Sequence, residues 1–114
     1  MNNMKTVEVI ATGASLEVNL GFLPSKVEIV NVTNGVEAKW NSSMDTGEFL
    51  KMMLTTLSGD AQANPRTLET TNGIAHTTQG VAGVAQTTAK GITIGAADDI
   101  NDTEGEVLCV HAWE

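Results

Sequence analysis

The 114-residue sequence has no tyrosine, two tryptophans, two phenylalanines and a single cysteine, Cys109. One cysteine excludes an internal disulfide, and its place in an apolar stretch reads as a small hydrophobe kept reduced. With so few aromatics, the core must be built from Val, Ile, Leu, Ala and Met. Basic residues are also scarce, 6 against 14 acidic, for a formal net charge of −8. That balance excludes a chain that grips nucleic-acid phosphates or anionic lipid by charge. No apolar run is long enough to span a membrane, so no membrane partner is expected. The first residues, Met1-Asn2-Asn3-Met4-Lys5, have neither the basic run nor the apolar core of a signal peptide, and folding in the cytoplasm is the expectation. Glycine-rich phosphate loops, nucleophile elbows and framed pairs of catalytic carboxylates are missing too, so neither an enzyme nor a cofactor is expected.

What is present is strand chemistry. At this length one domain over residues 1–114 is expected, burying roughly two-thirds of its unfolded surface. The stretch from Lys90 to Glu114 reads as two strands joined by an acidic turn. Gly91 to Gly95 alternates, whereas Glu106 to Trp113 is apolar on both parities, with Val107, Cys109 and Trp113 against Leu108, Val110 and Ala112. A strand of that kind wants cover on both faces. It should lie centrally between strands laid down earlier, with Val107, Cys109, Val110 and Trp113 buried.

Earlier in the chain, Lys5 to Thr12 alternates, and Gly13-Ala14 leads into a second alternating run with Leu16, Val18 and Leu20 inward. These two read as a hairpin with one wet face. Pro24 breaks the pattern. Lys26 to Thr33 follows as a more buried strand, and Asn34-Gly35 is a two-residue hairpin signal leading to Val36, Ala38 and Trp40.

From Met44 to Ser58 helix and strand compete. Asp45 with Glu48 fits a capping box, and Phe49, Met52, Met53 and Leu57 share a helical stripe, so a short helix over about 46–57 is one expectation. The other is a Met-rich flap that waits for a partner subunit. Residues 59–88 are rich in Thr, Gly, Ala, Asn and Gln and contain no aromatic residue. Within them Thr70-Thr71-Asn72-Gly73-Ile74-Ala75 is echoed by Thr77-Thr78-Gln79-Gly80-Val81-Ala82. The echo is too short for a solenoid. It reads as short β segments over the sheet, or as an arm ordered against a neighbouring copy.

Two constellations carry candidate chemistry. Cys109 and His111, at i and i+2 on one strand face, could mimic a thiol and base or two metal ligands, but no further Cys or His accompanies them at ligand spacing. The acidic turn offers Asp98, Asp99, Asn101, Asp102 and Glu104 as hard oxygen donors suited to Ca²⁺. It lacks the glycine position and flanking helices of an EF-hand, and a solvated turn is the preferred reading. Candidate subunit contacts are Phe49, Met52, Met53, Leu54, Ile74 and Val81. They belong to stretches that one small core would struggle to cover.

Two segments carry a resemblance: LEVNLGFLPSKVEIVNVTNGVEAKWNSSM, from Leu16 to Met44, and KGITIGAADDINDTEGEVLCVHAWE, from Lys90 to Glu114, together about half of the chain. Their order resembles that of head-decoration and head-auxiliary proteins of tailed bacteriophages. The shared features are a G-F-x-P-x-x-V turn into a strand, a Trp-Asn after the next hairpin, a late G-I-T-I-G, an acidic turn and a terminal strand ending in His and Trp. The resemblance implies an all-β virion subunit, made in the bacterial cytoplasm, that binds the major capsid protein or other virion subunits in many copies. It also implies a homo-oligomer, a trimer before a dimer. The alternative is a carbohydrate-binding or adsorption β-sandwich of a phage particle, with or without dependence on Ca²⁺. The fold expected is all-β: a single antiparallel β-sandwich or small barrel-like domain.

Overall fold

The computed structural model describes residues 3–45, 47–53, 66–77 and 90–114. Their architecture is all-β and antiparallel. A six-stranded sheet runs β1 (Met4–Ile10), β9 (Val107–Trp113), β3 (Lys26–Asn31), β4 (Glu37–Asn41), β5 (Phe49–Met52), β6 (Arg66–Glu69) in spatial order. A three-stranded sheet runs β2 (Leu16–Asn19), β8 (Gly91–Ile94), β7 (Ile74–His76). The inner faces meet in one core, to which the large sheet gives Val27, Ile29, Trp40, Phe49, Leu108 and Val110, and the small sheet Val18, Ile74, Ile92 and Ile94.

The terminal strand is central, as its two-sided apolar pattern requires. It pairs with β1 from Met4↔Trp113 to Ile10↔Val107 and with β3 from Lys26↔Trp113 to Asn31↔Leu108. Burial, however, is one-sided. Leu108, Val110 and Ala112 are fully covered, while Val107, Cys109, His111 and Trp113 are only half-buried on the outer face. Of the four residues expected to be buried, only Val110 is fully so. The second apolar parity is sheltered by its neighbours within the sheet instead of by a second layer.

The expected β1–β2 hairpin does not form, because the chain changes sheet between the two strands. Ala11 still bonds to β9's side, donating to Glu106 O at 2.8 Å and accepting from Gly105 N at 2.9 Å. Gly13, at φ +75°, then turns the chain toward the small sheet, where β2 pairs with β8. The strands flanking the acidic turn separate in the same way, β8 into the small sheet and β9 into the large one. Alternation specifies which face a side chain takes, and both arrangements satisfy it equally.

Asn34-Gly35 does join β3 to β4, but through a loop of four residues, not a two-residue turn. Asn31 N donates to Val36 O, and Gly35, at φ +81°, donates to Asn31 O. The buried Asn31 side chain accepts from Thr33 N and Asn34 N, an Asx turn that fixes the longer loop.

No helix occurs among the described residues, and the expectation of one over 46–57 is corrected where β5 stands. Phe49 and Lys51 both point inward, the period-2 pattern of a strand, and the strand pairs with β4 and β6. The capping-box pair survives as an isolated turn, with Asp45 N donating to Glu48 Oε1 at 2.9 Å. Residues 54–57 of the expected helix lie outside the described residues. The 59–88 segment contributes two described strands, β6 and β7, one at an edge of each sheet. The first half of the Thr/Gly echo is the turn into β7, and most of the second half lies outside the described residues.

Candidate functional site

The acidic turn was the sequence's best candidate for a metal site, and the structure fills it with a lysine. Lys51 sits on the inward parity of β5, with a side chain 9% exposed. Its ammonium donates to Asp98 Oδ2 at 2.7 Å and Asp99 Oδ2 at 3.2 Å, and reaches Glu69 Oε1 at 3.2 Å. Burial by itself favours the neutral amine. The hydrogen bonds to Asp98, Asp99 and Glu69 outweigh it and hold the ammonium above the ordinary lysine value.

Asp98, Asp99 and Asp102 do converge, with ligand atoms within 4.8 Å of one another. Asp102 Oδ2 accepts from Asp99 N at 3.0 Å, which helps hold Asp99 at its positive φ of 61°. The Lys51 ammonium thus provides the positive charge that an ion would otherwise supply to Asp98 and Asp99. Glu104 is exposed and apart from this group.

Asn101, the remaining member of the predicted set, points the other way. It is fully buried, its Oδ1 accepting from Thr12 N, and its Nδ2 donating to Ala14 O at 2.7 Å and Gly95 O at 2.9 Å. Neither side-chain atom is available to a metal. Asn101 instead ties the β1–β2 crossover to the end of β8, the two places where the chain changes sheet. Ile100 beside it anchors the turn in the core, and Asn31 Nδ2 donates to Ile100 O and Glu106 Oε1. The turn is held from three sides and joins the two layers.

Cys109 and His111 do share the outer face of β9, both half-buried. Across the sheet Cys109 lies opposite Glu8 and Val30, and His111 opposite Thr6 and Glu28. The His111 ring stacks on Trp113 at 5.3 Å and 14°, and Lys26 Nζ lies 4.9 Å from the Trp113 ring centre. This is a surface stack without a nucleophile–base contact among the described residues.

No family model, curated protein or solved structure matches this chain.

The predicted subunit contacts divide. Phe49 and Ile74 lie in this chain's own core, at 0% and 1% exposure, and are removed from the candidate surface. Met52 is half-buried on the outer face of β5, while Met53 packs against the core. Leu54 and Val81 lie outside the described residues. Exposed apolar groups appear elsewhere, at Met4, Ile10, Leu23, Val32 and Leu68. Lys51 is the functional residue that sequence reasoning missed. The signal was a lone lysine two residues from Phe49 in an apolar stretch, which points inward if the stretch is a strand.

Proposed function

We propose that this chain is a non-enzymatic virion structural protein, a capsid decoration or cement subunit that binds and stabilises the head shell of a tailed bacteriophage. One observation carries the reading on the structural side: the clustered polar groups are engaged in joining the two sheets, while large apolar side chains stay exposed. Lys51, Asp98, Asp99 and Asn101 hold the sandwich together. Met4 and Leu68 are left 64% and 52% exposed. That distribution suits a rigid block whose work is done by contact with other subunits. The acidic balance fits a subunit on the outer surface, away from the packaged genome.

The carbohydrate-binding alternative needs an exposed aromatic platform. Of the four Phe and Trp side chains, Phe22, Trp40 and Phe49 are buried, and the Trp113 ring is flanked by His111 and Lys26. Imaging particles assembled with and without this protein tests the proposal. Expected are additional regular densities on the head shell and a lower melting temperature of shells that lack it; identical shells overturn it.

A further inference from the structure

Strand β1 forms one edge of the large sheet, and among the described residues no strand pairs with its outer rim of backbone groups. Asn3 O accepts from Glu114 N, and Ala11 exchanges bonds with Glu106 and Gly105, so the odd-numbered residues of this strand bond to β9. The N–H and C=O groups of Met4, Thr6, Glu8 and Ile10 therefore point away from the sheet. The strand pairs with β9 in unbroken register over seven residues, without bulge or proline. Natural sheets usually blunt such an edge with those devices or with charges, and here only the charges of Lys5 and Glu8 are present.

We infer that this edge pairs with the same edge of a second copy, antiparallel about a twofold axis through Val7, so that two large sheets become one. The register follows from the residues. For the buried faces of both copies to stay on one side, each residue must oppose one of its own parity. Centring on Val7 places Met4 opposite the second copy's Ile10, and Thr6 opposite its Glu8. The two most exposed apolar side chains of the strand, 64% and 52% exposed, then cover each other at both ends. Val7, half-buried, meets its own copy at the axis. Centring on Glu8 would oppose two like charges, and centring on Thr6 would set Met4 against a carboxylate. The Val7 register sets Lys5 beside the second copy's Val9, where the aliphatic stem of the lysine can lie along the valine with its ammonium in solvent, and it pairs the outward backbone groups along the whole strand.

This contact does not depend on the virion reading, and it replaces the threefold ring implied by the resemblance with a twofold one. A strand-edge contact is at the small end of stable interfaces, so dissociation on the order of 1–100 µM is expected.

Sedimentation of the full chain over a concentration series, beside Thr6→Pro, tests it. Proline at position 6 removes an N–H that points away from β9, so the fold is retained while the edge is blocked. A monomer–dimer equilibrium weakened at least tenfold by Thr6→Pro, with an unchanged melt, is expected. A second variant reads the register: in a Cys109→Ser background, Val7→Cys should form a disulfide-linked dimer under mild oxidation, because non-hydrogen-bonded pairs bring Cα atoms to about 4.5 Å. Glu8→Cys, opposite Thr6, should link far less. A chain monomeric to about 1 mM, a trimer, or a dimer indifferent to Thr6→Pro overturns the proposal. The first of these would leave the edge to a strand of another protein or to none.

Discussion

Replacing Lys51 with methionine isolates what the ammonium does while keeping the length and most of the volume of the side chain. The lysine is nearly enclosed, but its partners differ in exposure, with Asp98 61%, Asp99 40% and Glu69 24% exposed at the side chain. Breaking a fully buried pair costs about 3–5 kcal/mol, and an exposed pair contributes about 0–1. The site lies between these limits. Two carboxylates left about 5 Å apart repel by about 0.8–3 kcal/mol for an effective dielectric between 80 and 20. A loss of about 2 kcal/mol at pH 7 is therefore expected, which for a domain of this size lowers the Tm by about 8 °C.

Two further measurements separate this mechanism from simple loss of packing. In Lys51→Met, millimolar Ca²⁺ should restore part of the Tm, because the acidic group has lost its internal cation, while the native chain should barely respond. The pH dependence has a definite sign. Since the Lys51 value is raised on folding, its contribution is fully present below the ordinary lysine value of about 10.4 and is lost as pH rises through the folded value. The native protein should thus weaken above about pH 10 by more than the variant does. Calorimetric melts at pH 7 and above pH 10, with and without Ca²⁺, measure all three effects. A variant within about 0.5 kcal/mol of native at pH 7 would refute the argument, as would an equal Ca²⁺ response in both proteins.

Asn101→Leu removes the buried side chain that bonds Thr12, Ala14 and Gly95, and urea unfolding should show a loss of about 3 kcal/mol from backbone groups left unpaired. Gly91→Ala should cost about 3 kcal/mol or prevent folding, read by circular dichroism and melting, because a Cβ there would collide with the Val18 carbonyl oxygen of the neighbouring strand. Truncation after Gly105 deletes β9, leaves β1 and β3 without a shared partner, and should give an aggregating chain with no cooperative melt; a native-like melt would contradict the central position of that strand.

Period-2 patterning by itself determined much of this protein. It set the inward faces of Val18 and Leu20 and the shared parity of Val36, Ala38 and Trp40, whereas in β3, apolar on both parities, only the packing chose Val27 and Ile29 over Val30 and Val32. It also placed the C-terminal strand in the middle of a sheet, because a segment apolar on both parities is expensive to leave at an edge. The Asn34-Gly35 pair marked its hairpin, since the turn chemistry is local. What the alternation could not determine was partner choice. β1 and β2 are adjacent in sequence and alternate alike, yet they belong to different sheets, as do β8 and β9. That assignment depends on Asn101 and Asn31 bonding to backbone groups up to 89 residues away, contacts with no trace in local spacing. For Phe49 to Met52, helical and strand periods both fitted the short apolar run, and pairing with β4 and β6 decided between them. The acidic turn shows the same division. Its charges were legible, but the cation they hold comes from a strand 47 residues away, and only the packing of one sheet on the other brings Lys51 to Asp98.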